Sequence, residues 1–224
     1  MCLSRDDILA GRVEAVAREA ERLGLFRRLR PEERAASIRQ TLEAFPAGAE
    51  VWVFGYGSLM WNPAFHHAER RPARVHGLHR RFCLWSAIGR GTPERPGLML
   101  GLEPGGSCLG VAFRIASERV ESELAVVWGR EMIGDAYVPR VVRARTPKGP
   151  VAAIAFAINP RHERYAGRLP VETMARVIAS ASGGLGSCRD YLFATVAALE
   201  TLGRDHGPMH ALAARVRRHM DGAG

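Results

Sequence analysis

Three observations predict an α+β fold: a curved sheet or small mixed β-barrel with flanking helices. From Val51 onward the chain breaks into short apolar runs punctuated by glycine and proline, the texture of strands and tight turns. Before Val51 and after Pro170, apolar residues recur at helical spacing. One further helical stretch interrupts the strand-like runs. Many short strands with helices before, between and after them fit one α+β domain.

The elements follow in order. Residues 6–23 read as one amphipathic helix, with Ile8, Val13, Val16, Ala20 and Leu23 spaced among charges. Pro31 followed by Glu32 and Glu33 marks a second helix start, running to about Phe45, where Pro46-Ala47-Gly48 breaks the pattern. Residues 1–46 are therefore read as a helical N-terminal extension, and 47–224 as the main domain. Strand candidates are Val51–Phe54, Ala73–His76, Arg81–Trp85, Leu98–Leu102, Leu109–Ile115, Val138–Ala144 and Val151–Ile158. Helices are expected from about Ser117 to Trp128 and over Val171–Ser182, Asp190–Leu202 and Met209–Met220. There is no internal repeat.

Composition narrows the function classes. With 224 residues, 47% hydrophobic and 25% charged, the chain can bury one sizeable core and is unlike disordered or collagen-like sequences. The longest apolar stretch free of charges and turn residues, Val151–Ile158, is far short of the ~20 residues of a membrane span. Early acids and no apolar segment at the N-terminus argue against an ordinary secretory signal, so a cytoplasmic location is expected. The net charge of +9 comes from 66–95, 140–148 and 204–218, and of 32 basic residues only Lys148 is lysine. Such a surface suits small anions, nucleic acid or anionic lipid. With no basic arm and no nucleic-acid motif, nucleic acid is the weaker reading. Cys2, Cys83, Cys108 and Cys188 lie far apart, without a C-x-x-C, and neither His66–His67 nor His76–His79 has metal-ligand company. No metal site is expected.

Four segments could carry chemistry. An apolar strand runs directly into Gly55-Tyr56-Gly57-Ser58-Leu59-Met60. Glycines there let a ligand approach the backbone, and successive N–H groups in such a turn form an anion-binding concavity. The segment matches neither nucleotide-binding glycine pattern, and a tight strand-exit turn without a ligand reads equally well. Advancing about 100° per residue, Glu131 lands about 20° from Val120, in the apolar stripe of the interrupting helix. A carboxylate there is desolvated and becomes a better proton acceptor near neutral pH. If Gly129 ends the helix instead, Glu131 is solvated or paired with Arg130 or Arg140. Arg90 heads a turn-rich loop and either holds a ligand carboxylate or sits in a solvated hairpin loop. Ser187 or Asp190 caps a helix on which Tyr191 is either core or aimed into a pocket. Ser58 has no G-x-S-x-G context, which argues against a serine hydrolase.

Taken together, Val53-Phe-Gly-Tyr-Gly-Ser-Leu-Met-Trp-Asn-Pro63, Arg80-Arg-Phe-Cys-Leu-Trp-Ser86, Arg90-Gly-Thr-Pro-Glu-Arg-Pro-Gly97, Trp128-Gly-Arg-Glu-Met132 and Ser187-Cys-Arg-Asp-Tyr-Leu192 resemble, in that order, the ChaC family of glutathione-specific γ-glutamylcyclotransferases. The resemblance covers about residues 50–202 and leaves the N-terminal extension unexplained. It implies a γ-glutamylcyclotransferase-like small mixed barrel needing no metal or organic cofactor. It implies a lyase reaction that converts glutathione to 5-oxoproline and cysteinylglycine. By the same resemblance Glu131 matches the catalytic glutamate, Gly55 to Met60 match the loop that holds the γ-glutamyl group, and Arg90 and Tyr191 fall within ligand-binding motifs. Cys188 departs from the pattern, standing where a small polar residue such as Asn is more usual. Two rivals are an enzyme of the same fold acting on another γ-glutamyl amine or amide, and a non-catalytic binding module.

Overall fold

The expected barrel is present and closed. In the computed structural model, which describes residues 3–222, its strands are β1 (Trp52–Gly55), β2 (Glu69–Ser86), β3 (Gly97–Arg114), β4 (Tyr137–Thr146) and β5 (Gly149–Ile158). Around the ring they run β1-β3-β2-β4-β5, and a parallel pairing of β1 with β5, Val53 opposite Ile154, closes it. The separately expected strands Ala73–His76 and Arg81–Trp85 are one strand, and so are Leu98–Leu102 and Leu109–Ile115. Glycine is the reason. Gly77, at φ +83°, shifts the register between His76 and Leu78 as a bulge, so the long β2–β3 hairpin bends without ending.

The helices are α1 (Arg5–Leu9), α2 (Arg12–Arg22), α3 (Pro31–Glu43), α4 (Val120–Glu131), α5 (Val171–Ser180), α6 (Cys188–Glu200) and α7 (Pro208–Asp221). The single helix expected over 6–23 is two, because Gly11 adopts φ +75° and breaks the ladder between them. Pro31 takes the first helical position of α3, where its missing N–H costs nothing. A short hairpin of β6 (Ser182–Gly183) and β7 (Gly186–Ser187) leads into α6.

Large side chains with essentially no exposure pack against both faces of the barrel wall, among them Trp52, Phe54, Phe82, Phe113 and Phe156. α4 lies against it through Trp128, whose ring meets Phe156 edge-on at 5.0 Å. The N-terminal helices pack on this layer. Trp128 Nε1 donates to Ser37 Oγ of α3 at 3.1 Å, Arg5 Nη2 to Glu123 Oε1 at 2.9 Å, and Asn62 Nδ2 to Leu3 O at 2.7 Å. The segment before β1 thus touches α4 and the chain that leaves β1. Cys83, Cys108 and Cys188 are buried free thiols, and Cys2 lies outside the described residues. Among the described residues, no helix is long and apolar enough to cross a membrane.

Candidate active site

β1 ends in Gly55, and the chain tightens at once into a 3₁₀ turn over Ser58–Met60. Space dictates the glycines. A Cβ on Gly55 would sit 2.9 Å from Leu59 Cβ, and one on Gly57 would sit 2.7 Å from Tyr191 Oη. Tyr56, Leu59 and Met60 turn their side chains into the core, and the Tyr56 hydroxyl donates to Phe156 O at 2.7 Å. Ser58 alone of Gly55–Met60 lines the cavity described below. The side chains of Tyr56, Leu59 and Met60 are therefore turned away from a ligand in that cavity, and only the backbone of Gly55–Met60 and the Ser58 side chain are left to meet it.

α4 carries Arg130 and Glu131 to this turn. The helix does not end at Gly129; Glu131 is its last residue. Arg130 donates from Nη2 to Ser58 Oγ at 2.7 Å and from Nη1 to Asn62 O at 2.5 Å, while its Nε lies 3.1 Å from Glu131 Oε1. The Glu131 side chain keeps only 16% exposure. Burial pushes its carboxyl above the ordinary value of 4.5, and the Arg130 guanidinium opposes the rise. Of the alternatives in the sequence, then, desolvation and pairing with Arg130 hold together, and Arg140 plays no part.

The opposite wall comes from the β2–β3 loop and the start of α6. Arg90 N donates to Ser86 Oγ at 2.9 Å, which fixes the loop at its root. The Arg90 guanidinium reaches Ser187 O at 3.4 Å and lies 5.3 Å over the Tyr191 ring. Ser187 is the cap of α6, accepting from Asp190 N at 3.1 Å, and so presents Tyr191 in the first turn. Tyr191 is packed edge-on by Trp61 and Phe82, and burial pushes its phenol up to about 12, leaving a protonated hydroxyl at neutral pH.

Ser58, Arg90, Glu131 and Tyr191 therefore surround one cavity of about 400 Å³, a volume suited to a small-molecule ligand. The sequence profile of ChaC-like proteins matches residues 51–219, most of the chain. This chain belongs to the ChaC family. It is 42% identical over 188 residues to the glutathione-specific γ-glutamylcyclotransferase of Escherichia coli K12, covering 84% of this chain and 81% of that protein. It is 33% identical over 147 residues to glutathione-specific γ-glutamylcyclotransferase 1 of the rat, covering 63% and 66%. The crystal structure of a yeast γ-glutamyl cyclotransferase specific to glutathione superposes with a TM-score of 0.68 at 23% identity, over 77% of this chain and all of that one, so the fold is shared.

In this ChaC-family chain, Cys188 works behind the cavity. Its Sγ donates to Leu98 O at 2.9 Å and accepts from Leu98 N at 3.3 Å, tying α6 to β3. Sequence reasoning missed several lining residues. Arg130 was visible only as a pairing option for Glu131. Tyr137, whose hydroxyl donates to Leu100 O at 2.7 Å, and Arg164 gave no signal. Nor did Asp7, Arg12 and Val16, which the N-terminal helices bring to the same cavity.

Proposed function

We propose that the protein is a γ-glutamylcyclotransferase that cleaves glutathione into 5-oxoproline and cysteinylglycine, with Glu131 as general base and then general acid. One observation carries the reading: the largely desolvated Glu131 carboxylate, with its pKa raised by that desolvation, opens onto a cavity shared with Ser58, Arg90 and Tyr191. The E. coli and rat relatives named above support the choice of glutathione.

The chemistry needs no nucleophile from the protein. The substrate's α-ammonium gives a proton to Glu131, and the freed amine attacks the γ-carbonyl of the same molecule. A five-membered ring closes and the carbonyl π electrons move onto oxygen. The oxyanion collapses, the bond to the cysteinyl nitrogen breaks, and protonated Glu131 gives its proton to that nitrogen; the ring nitrogen then sheds its second proton, through the same carboxylate, to the departing amine. Atoms balance: 5-oxoproline leaves as the lactam, cysteinylglycine as the ammonium. Proton transfer by one positioned carboxylate contributes about 10²–10⁴ in rate. Curling the γ-glutamyl chain so that amine meets carbonyl adds an orientation effect. Backbone N–H groups of the Gly55–Leu59 turn, with Ser58 fixed by Arg130, hold the γ-glutamyl group or the developing oxyanion. Arg90 and the Tyr191 hydroxyl complete that end of the cavity, and the basic lining helps to collect an anionic substrate.

The test is to incubate the purified protein with reduced glutathione and, separately, with γ-glutamyl-alanine, quantifying 5-oxoproline and the released amine by mass spectrometry. Turnover of glutathione alone is the expected result. Turnover of γ-glutamyl-alanine alone would keep the mechanism and change the substrate, and a folded protein that turns over neither compound would be a binding module.

A further inference from the structure

The charged side chains that line the cavity are Asp7, Arg12, Arg90, Arg130, Glu131 and Arg164. Four of them pair within the wall: Arg12 with Asp7 at 2.6 Å, and Arg130 with Glu131 at 3.1 Å. Among the described residues, Arg90 and Arg164 have no carboxylate within ion-pair distance. Arg90 stands beside Tyr191, at the end where the Gly55–Met60 turn lies. Arg164 belongs to a different wall. Its backbone is pinned beside β2, with Trp85 N donating to Arg164 O at 2.9 Å and Ala166 N to Cys83 O at 2.8 Å.

The Arg164 guanidinium lies 4.2 Å over the ring of Phe26, which is buried in the connection between α2 and α3. Its Nε is buried with no hydrogen-bond partner. A guanidinium largely withdrawn from water, with no carboxylate beside it, is costly unless an anion lies close to its accessible end. The two Nη nitrogens of Arg164, by contrast, are not sealed off and carry no hydrogen bond within the described residues, and together they form the end-on fork that a carboxylate meets with two parallel bonds. Stacking on Phe26 fixes the plane of that fork.

We infer that Arg164 is the seat of the second carboxylate of the substrate, the one on the leaving dipeptide. The inference rests on the cyclotransferase reading above. Glutathione carries two carboxylates, and the cavity wall carries two arginines without a carboxylate partner. With the γ-glutamyl carboxylate at the Arg90 end, the glycine carboxylate extends to Arg164. The N-terminal segment thereby contributes to substrate choice: Phe26 orients the guanidinium, and α1 and α2 wall the same cavity. Arg164 selects the substrate by its far end and takes no part in proton transfer.

The experiment compares glutathione with its glycinamide analogue, in which only the far carboxylate is neutralised, on the native protein and on Arg164→Gln. The native protein is expected to show a KM about tenfold to a hundredfold higher for the amide, the loss of one hydrogen-bonded charge. Arg164→Gln should raise the KM for glutathione by a similar factor, keep kcat within about twofold, and leave the amide unaffected, since uniform binding alone is lost. Arg164→Lys should recover part of the discrimination. Equal KM values for the two compounds on the native protein overturn the inference while the cyclotransferase reading stands, and this comparison needs no variant to fold. An Arg164→Gln variant impaired equally on acid and amide also overturns it. A native protein that turns over neither compound overturns the reading itself, and the inference with it.

Discussion

Arg130 donates a 2.7 Å hydrogen bond to Ser58 Oγ, and this bond joins the end of α4 to the turn that leaves β1. The same guanidinium holds Asn62 O and lies against Glu131. One side chain therefore sets the distance between the acid and the backbone turn. Arg130→Gln is expected to lower kcat by about tenfold to a hundredfold, as loss of an outer hydrogen-bonding partner does elsewhere. It should also move the acid limb of the pH–rate profile upward, because the cation opposing the effect of burial is gone. Arg130→Lys should restore the limb more than the rate. A profile that stays in place would leave Arg130 with a packing role alone.

Glu131→Gln keeps shape and volume but cannot accept the ammonium proton. Turnover should fall by at least ~10², while circular dichroism and binding of glutathione persist. An unchanged kcat removes Glu131 from the mechanism.

The pH dependence follows from the same carboxyl. Burial raises its pKa above 4.5, and the proposed base is the ionised form. Activity is therefore present above the raised pKa and lost as pH falls through it. The acid limb of kcat/KM should have its midpoint above the usual carboxylate range and should be absent from any residual activity of Glu131→Gln. A midpoint at or below 4.5 contradicts the desolvated environment.

Gly57→Ala tests the packing of the turn. The new Cβ would stand 2.7 Å from Tyr191 Oη, so the turn or the tyrosine must shift. Overpacking of this kind costs about 1–3 kcal/mol, and KM should rise as the turn moves. Adding Tyr191→Phe removes the clashing oxygen and should recover most of the lost thermal stability. If the double variant melts no higher than Gly57→Ala, the clash is not the cause.

Glu123 anchors α1. It is almost fully buried, accepts from Arg5 Nη2 at 2.9 Å and His66 N at 2.9 Å, and lies 3.2 Å from His66 Nδ1. Burial pushes its carboxyl up, but Arg5 and the His66 N–H outweigh that and hold it below the ordinary value. Its contribution is present above pH 4.5 and lost as pH falls through the depressed folded value. Glu123→Ala should cost about 1–3 kcal/mol and speed amide exchange in α1. Exchange unchanged in α1 would show that the apolar face holds the helix alone.

Local signals in the sequence determined most of the elements. Pro31 and Ser187 start helices where spacing and caps say they should, and the apolar runs from Val51 to Ile158 all fall in strands or at their edges. Ordered motifs determined the family and singled out Gly55 to Met60, Arg90, Glu131 and Tyr191, because each sits in a short segment with its own chemical signature; of these, Ser58, Arg90, Glu131 and Tyr191 line the cavity. Glycine misled where its effect depends on neighbours: the strand expected to end at His76 runs on through Gly77, the helix that Gly129 could have ended runs on to Glu131, and Gly11, inside a periodic stretch, was the actual break. The tertiary structure alone decided that these four residues share a cavity, since they come from four separate chain segments that only barrel closure unites. It alone put Phe26 under Arg164, and Asp7 and Arg12 in the cavity wall. Helical periodicity tells which face of α2 is apolar, not what that face covers. Its partner is fixed by contacts between residues more than a hundred positions apart, which leave no local pattern to read.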